Sequence, residues 1–578
     1  MEQFRKSQAQ VNKDMMSEIM KQMYGHKSDF KYEHSELLLY QNQVLCEAGE
    51  EEAALEHLEA WGEEVVDRER REEVRGRLQL SLGRREQARQ TYEELIRKNP
   101  DNVEYYRALV QCREEGREEV LRLYCSLHPR ALAPRLLLLE ELSGEGFIEE
   151  VTKYLEEGVR RGVPSLLESL ASLYTDPDKA AGIGKVLEKL RTCLEREGRF
   201  QEEGEERERP SCLLWTLNLL SLHHSRLGQY QEALECSDQA LAHTPTLVEL
   251  YMARAELHAA QGDPLLAAQW MEEAQGLDTA DRAVACEAAR FLLRAGRVED
   301  AVAVMGLHTK PGEPVLDYLK ETQCSWFLLE MARAHLARGE RGLALVRCAE
   351  LRDIFVEVEE DQLDFHLFAM ARMRLRHYVD LLRFEDRLRT FGVFSEAGQL
   401  AIGIYLEVHD RRLGGGAGGA ATGSEQSDSE ARKQRNKAKK AARKEQEMRS
   451  QKQGKTRVEK VEAECLTPQK VTYSAQELES VADPLEEALK YLAPLQEVLG
   501  EKLTTHTAAF EVALRREKPL QMLRALRGAE RAAPGSLEVA RMEARLVDWR
   551  EINTCGGVVG RVLAAGGLKS QGGAAQTE

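Results

Sequence analysis

A glycine followed five residues later by an alanine recurs at intervals of 34 residues, and this spacing constrains the fold more than any other feature of the sequence. The pairs fall in two runs, and a further copy, Gly339 and Ala344, comes 43 residues after Gly296. The two runs consist of Gly49 and Ala54, Gly83 and Ala88, Gly228 and Ala233, Gly262 and Ala267, and Gly296 and Ala301. Fixed periods of this length are typical of helical-repeat proteins.

The residue types at these positions suit a pair of antiparallel helices. Gly permits the tight turn between the two helices, and the small Ala lets them approach closely. Pro100 and Pro245 each close a unit, because proline cannot continue the second helix. One pair cannot bury its apolar face alone, so successive pairs must stack. The sequence therefore predicts an all-α, tetratricopeptide-type helical-repeat solenoid, with an unspecific helical bundle as the alternative.

Charge is distributed unevenly along the 578 residues. The whole chain carries a formal charge of −18, but residues 411–460 contain 15 Lys and Arg against 6 Asp and Glu. That stretch is therefore +9, and the rest of the chain is −27. An acidic body with one basic segment indicates two separate roles, because only the basic segment is suited to polyanions.

Several functional classes are disfavoured by motifs that the sequence lacks. It has no apolar run of about 18 residues, so no membrane helix is expected, and its polar start lacks the apolar core of a signal peptide. The 11 cysteines include no CxxC pair, which is typical of reduced thiols in the cytoplasm or nucleus. Motifs for zinc hydrolysis, serine nucleophiles and phosphate loops are also missing. We therefore expect no catalytic residues, no cofactor and no metal site.

Composition divides the chain into five predicted segments. Residues 1–30 form a divergent N-terminal helix, and residues 31–410 form the helical-repeat solenoid. Residues 411–475 form a flexible, low-complexity basic linker that is rich in Gly and Ser where it begins. Residues 476–555 return to helical repeats, and residues 556–578, rich in Gly and Ala, form a disordered tail.

The basic tract within the linker has two interpretations, and both stay open. It has almost no apolar face, so it is either a solvated, partly helical linker or a segment for polyanion binding or nuclear import. No aromatic residue is interleaved, so RNA would be held by salt-sensitive contacts to backbone phosphates and not by base stacking. Its basic positions are Arg432, Lys433, Arg435, Lys437, Lys439, Lys440, Arg443 and Lys444.

Six stretches of the sequence together resemble one known family. They are HSELLLYQNQVLCEAG (34–49), TPTLVEL (244–250), AAQWMEEAQGLDTADR (267–282), DQLDFHLFAMARMRLRHYVDLLRFEDRLR (361–389), AIGIYLEVHD (401–410) and PLEEALKYLAPL (484–495). These stretches are similar to the large auxiliary subunit of the N-terminal acetyltransferase A complex, NatA. The likeness runs from about residue 33 to about residue 530, and it is interrupted at residues 200–210 and in the linker.

The resemblance implies a horseshoe of repeats that wraps around a small catalytic subunit, which carries the acetyl-CoA chemistry. It also implies that the chain directs this subunit toward small N-terminal residues and holds it on the ribosome. Residues 432–460 are similar to the family's charged segment, which is associated with nuclear import and ribosome contact, so cytoplasmic and nuclear locations are expected. Family members extend beyond the positions of Tyr32 and Ala565, so we expect a chain that is shortened at both ends.

The resemblance also raises the question of whether this chain binds inositol hexakisphosphate. The family can bind it near the catalytic partner through basic residues on neighbouring repeat helices. This chain keeps Arg254 and Arg290 on the matching helices, but it has Glu256 and Glu287 where lysines are expected. Both carboxylates would repel the ligand, so it is not included among the expected partners.

The partner surface is predicted on residues 215–410 and on residues 484–527. The candidates for polar contacts with the catalytic subunit are Arg374, Arg376, Arg383 and Arg387. A solvated helix face is the alternative for each of them. Two other functions also stay open: a general tetratricopeptide adaptor for peptide termini, and an RNA-binding protein that works through the basic tract.

Overall fold

The computed structural model describes residues 27–112, 116–200, 207–360, 366, 375–415, 472–552 and 561–562. Every regular element in these ranges is helical, so the all-α prediction is confirmed there. The chain forms two compact units: residues 1–315 with 358–386, and residues 316–357 with 387–578. Most of the predicted N-terminal helix, the basic tract and nearly all of the predicted tail lie outside the described residues.

The first fifteen helices are α1 (Lys27–Glu47), α2 (Glu51–Trp61), α3 (Arg68–Ser81), α4 (Arg85–Lys98), α5 (Val103–Cys112), α6 (Arg117–Leu127), α7 (Ala133–Glu141), α8 (Gly144–Arg161), α9 (Pro177–Glu197), α10 (Pro210–Arg226), α11 (Tyr230–His243), α12 (Val248–Ala260), α13 (Pro264–Leu277), α14 (Arg282–Arg294) and α15 (Val298–Gly306). The other ten are α16 (Val315–Glu321), α17 (Ser325–Ala337), α18 (Arg341–Glu360), α19 (Leu375–Glu385), α20 (Gly392–Gly415), α21 (Ala475–Glu479), α22 (Pro484–Val498), α23 (Leu503–Arg515), α24 (Pro519–Ala532) and α25 (Leu537–Ile552). The first unit holds α1–α15 and α19, and the remaining helices belong wholly or mostly to the second.

The repeat glycines and alanines occupy equivalent places in six helix pairs. Each glycine lies between the two helices of a pair, with φ between 72° and 85°. At Gly262, a Cβ added to the backbone would meet nothing within 4 Å, so the left-handed backbone, and not crowding, favours glycine there. Each alanine lies on the second helix and is 0% exposed. A larger side chain at this position would separate the two helices.

Hydrogen bonds repeat together with the helix pairs. In two pairs, a polar side chain of the first helix donates to the carbonyl of the buried alanine. Asn42 Nδ2 lies 2.6 Å from the oxygen of Ala54, and Ser221 Oγ lies 2.9 Å from the oxygen of Ala233. These bonds satisfy buried polar side chains and fix the first helix against the second.

Proline carbonyls in the connections accept bonds from side chains six residues later. The Tyr106 hydroxyl donates to Pro100 over 2.8 Å, and the Tyr251 hydroxyl donates to Pro245 over the same distance. Arg135 donates to the carbonyl of Pro129 in the same way, at 2.6 Å. Proline therefore ends the second helix, and its carbonyl also anchors the next helix to the connection.

Helices on both sides of the predicted linker build one core in the second unit. Buried side chains of α17, α18, α20 and α22–α25 form a single hydrophobic cluster. Within it, the rings of Tyr405 on α20 and Tyr491 on α22 lie 6.3 Å apart. The linker therefore interrupts a unit, and the boundaries between units fall elsewhere, near residues 315, 357 and 386.

Candidate partner-binding surface

The first helices of three successive pairs, α10, α12 and α14, lie within the predicted partner surface. Equivalent helices of stacked repeats lie side by side along one face, and α10 contacts α12 here. Their solvent-accessible side chains therefore face the same side of the first unit. Charge on this face decides which partner chemistry it suits.

Three carboxylates interact at this face: Glu256 on α12, Glu287 on α14, and Glu168 at the start of a 3₁₀ helix (Glu168–Thr175) beside Arg226 of α10. The Glu256 side chain is exposed to solvent, but the helices around it desolvate its carboxyl and raise its pKa; the negative charges of Glu287 and Glu168 raise this pKa further, and Arg226 lowers it. Arg226 is paired with Glu168, and Arg290 lies 2.9 Å from Glu287. Each arginine is already paired with a carboxylate, and the net effect of burial and of the surrounding charges on the pKa of Glu256 is upward. We name Glu168, Glu256 and Glu287 the acidic face.

Arg254 is one of the two arginines that the family resemblance matches with basic residues that bind inositol hexakisphosphate. Its side chain is directed away from solvent. Its guanidinium lies 4.5 Å from the centre of the Trp270 ring and pairs with Asp238. Only 13% of the side chain is exposed. Its charge therefore joins neighbouring repeat helices, and the acidic face offers little to attract a polyphosphate.

The four candidate arginines lie in different settings. Arg376 donates to Glu36 over 2.9 and 2.7 Å, and Arg383 donates to Glu47 over 2.8 and 2.6 Å. Both pairs join α19 to α1 within the first unit. Arg387 is exposed just before a short 3₁₀ turn of the second unit, and Arg374 lies outside the described residues.

The two ion pairs of α19 differ in burial, and so in strength. Glu36 is 3% exposed and Arg376 is 16% exposed, so breaking this pair would leave a charge away from water. The Arg383 guanidinium lowers the pKa of the Glu47 carboxyl to about 2. However, both members of this second pair are nearly half exposed, so solvent weakens its effect on stability. Sequence reasoning missed both partners, because they lie 340 and 336 residues earlier.

A cavity of about 450 Å³ lies where α19 meets α1 and α3. Its lining mixes apolar side chains with both signs of charge, including Val74, Cys46, Arg77 and Asp380. No excess of one charge marks it for an anion or a cation, so the geometry defines no ligand class for this cavity.

The described residues contain no group of three or more His, Cys, Asp or Glu that could hold a metal ion. None of the helices in the described ranges combines the length and apolar character needed to cross a bilayer. The described cysteines carry free thiols, and burial raises the pKa of Cys348 and Cys236. These thiols are therefore packing residues and not activated nucleophiles.

By its fold, the chain is one of the tetratricopeptide-type helical-repeat proteins. Comparison of the sequence narrows this class: the chain belongs to the family described as "N-terminal acetyltransferase A, auxiliary subunit", whose model matches residues 32–529. This confirms the family predicted from the six stretches. The family is that of the auxiliary subunit, and this agrees with the absence of catalytic motifs from the sequence.

Known relatives and one solved structure give the same assignment. The chain is 38% identical over 533 residues to mouse N-alpha-acetyltransferase 16, NatA auxiliary subunit, and it is 34% identical over 516 residues to the Arabidopsis thaliana NatA complex auxiliary subunit NAA15. Each match covers 86% of this chain, but only 59% and 56% of the relatives' lengths. A structure of Naa15/Naa10 bound to HypK-THB matches 96% of this chain and 75% of that chain at 27% identity, with a TM-score of 0.77.

Proposed function

We propose that this chain is a non-catalytic auxiliary subunit that binds a small catalytic N-acetyltransferase subunit and tunes its activity. The observation that carries the proposal is the likeness of 96% of the chain to Naa15, which was solved together with Naa10. Membership of the auxiliary-subunit family supports the same role. Stacked repeats provide the extended surface that a globular partner needs.

The acidic face is the part of this surface that we assign to the catalytic subunit. Glu256 lies near the carboxylates of Glu287 and Glu168, and a partner that places Lys or Arg side chains there would relieve the repulsion among them. Arg387 is exposed and suits an acidic group of the partner. Arg376 and Arg383 support the partner surface indirectly, because each holds α19 against α1.

The basic tract is the element that we assign to the ribosome. Its lysines and arginines, Arg432 to Lys444 in sequence, suit the phosphates of ribosomal RNA. An auxiliary subunit held there would place the catalytic subunit near emerging N-termini, in the cytoplasm, and the same tract would direct nuclear import. Inositol hexakisphosphate is not part of the proposal, because the acidic face opposes a polyanion.

Two alternatives remain for the same chain. As a general adaptor for peptide termini, it would bind peptides without the acetyltransferase. As an RNA-binding protein, it would lose ribosome association when the basic tract is deleted, yet it would not change acetylation. Neither alternative predicts an effect on a catalytic partner, and this difference can be measured.

The decisive experiment is copurification of the full chain with the small catalytic subunit, followed by acetylation assays on peptides that begin with Ser or Ala. We expect a stable complex and a higher kcat/KM on these peptides than the catalytic subunit shows alone. Absence of a complex, or a complex with unchanged kcat/KM, would contradict the proposal.

A pair of variants then locates the partner surface. Glu256→Lys with Glu287→Lys reverses charge on the acidic face, and we expect at least tenfold weaker retention of the catalytic subunit. Glu235→Lys is the matched control, because Glu235 is exposed on α11 and does not belong to the acidic face. Equal retention by both variants would remove the acidic face from the proposed interface.

A further inference from the structure

The two ends of residues 416–471 are attached to the same unit. The residues before this segment belong to α20, and the residues after it lead into α21 and α22. All of these helices lie in the second unit, and α20 packs along α22. The contacts of the flanking residues therefore show how the chain is held where the segment begins and ends.

Arg412 holds the chain just before the segment. Its guanidinium donates to the carbonyls of Val481 and Glu479, over 2.6 and 3.2 Å. These carbonyls precede α22, so Arg412 ties the last turns of α20 to the entry of α22. The guanidinium thereby satisfies carbonyls that no helix uses.

Tyr473 holds the chain just after the segment. The Tyr473 hydroxyl donates to Asp353 over 2.6 Å and accepts from Arg352 over 3.0 Å. Burial and the bond to Asp353 raise the pKa of this hydroxyl, which keeps it protonated as a donor. Arg352 also lies 5.4 Å from the centre of the Tyr491 ring, so the bonds are made beside the shared core.

Gly342 completes the attachment, because it lets the returning chain come close to α18. A Cβ at position 342 would lie only 2.5 Å from the carbonyl oxygen of Ala475. Backbone atoms cannot turn aside as a flexible side chain does, so any larger residue would displace the start of α21. The close approach is thus built into the sequence of α18.

We propose that Arg412, Arg352, Asp353 and Tyr473 form a clasp that fixes both ends of residues 416–471 to the second unit, so that this unit survives a cut within the segment. Polar bonds join the ends, and the core shared by α20 and α22 lies beneath them. A partner that engages the segment would then act on it without unfolding the helices on either side. This inference concerns the fold of the second unit, and it does not rest on the proposed function.

The test uses the full chain with a specific protease site inserted after Gly423. After native cleavage, we expect the two fragments to elute together in size-exclusion chromatography, with an unchanged helical circular-dichroism signal. Separation of the fragments or loss of the helical signal after cleavage would overturn the proposal.

Variants of the clasp then test its own contribution in the cleaved protein. Arg352→Ala with Tyr473→Phe removes bonds that cross the cut, so we expect the fragments to dissociate about tenfold faster or more. Arg516→Ala is the matched control, because its partner Glu486 lies on the same fragment, and we expect no change in that rate. Equal rates for both variants would show that the core alone holds the fragments, and would reject the clasp.

Discussion

Arg376 donates from Nε and Nη2 to the two carboxylate oxygens of Glu36, and this bidentate pair fixes α19 to the first helix of the described chain. Only Glu385 of α19 is fully buried, and its other side chains are half-buried or exposed. Ion pairs therefore contribute to the attachment of α19 to α1, and this attachment should respond to single polar substitutions.

Removal of the Arg376 side chain should release α19 from α1. A buried pair that loses one member costs about 3 kcal/mol, so we expect amide protection in α19 to fall roughly 100-fold in Arg376→Ala. The matched control is Arg383→Ala, whose exposed pair with Glu47 is screened by water, and its protection should change only slightly. Hydrogen–deuterium exchange measures the amide protection of α19 in both variants. Equal losses of protection would contradict the claim that the buried pair stabilises α19 more than the exposed pair.

Neutralising Glu256 should stabilise the protein at neutral pH. The pKa of the folded carboxyl is raised above its reference value of 4.5, so ionisation is unfavourable in the folded state and its cost appears as pH rises. Glu256→Gln should therefore melt higher than the parent chain at pH 7, and the difference should vanish below pH 4.5. Melting curves between pH 4 and 8 measure this, with Glu235→Gln as control. If the difference in melting temperature instead grew at low pH, the pKa of Glu256 would be lowered in the folded state and not raised.

The bond from Tyr251 to Pro245 should stabilise its repeat measurably. Tyr251→Phe keeps the ring and removes the hydroxyl, so we expect a loss of about 1 kcal/mol in the free energy of unfolding. Tyr230→Phe is the control, because no hydroxyl bond of Tyr230 is seen within the described ranges. Urea denaturation compares the two, and an equal effect of both substitutions would count against a role for the proline carbonyl.

Two glycines near the ends of α13 should respond oppositely to alanine. Gly262 precedes the helix with φ of 85°, so Gly262→Ala should cost about 1–2 kcal/mol. Gly276 lies inside the helix, and a Cβ added there would meet nothing within 4 Å. Gly276→Ala should therefore gain about 0.5–1 kcal/mol. Urea denaturation measures both changes, and the same sign for the two would refute the conformational argument.

The helix pairs could be predicted from the sequence because their causes are local. A glycine such as Gly228 and the alanine five residues later act within one turn and the next helix, so a fixed spacing reports them directly. The same reasoning could not find Glu36 as the partner of Arg376, because the residues are 340 positions apart and no local pattern links them.

Composition alone also could not locate the limits of the units. The Gly-rich and basic segment marks a change in the sequence, and the prediction therefore separates helices on its two sides. The structure instead has α20 and α22 in one core, because the apolar faces of both helices, including Tyr405 and Tyr491, are complementary to each other. Partners in a core are fixed by packing in three dimensions, which composition does not record.

The common core of α20 and α22 also bears on how such a chain can diverge between species. Insertions, deletions and substitutions within residues 416–471, between the clasp residues Arg412 and Tyr473, leave the buried faces of Tyr405 and Tyr491 unchanged. Natural selection can then alter the length and charge of the intervening residues with little risk to folding. The segment is therefore a place where a lineage can gain or lose regulatory sequence while the helices around it are retained.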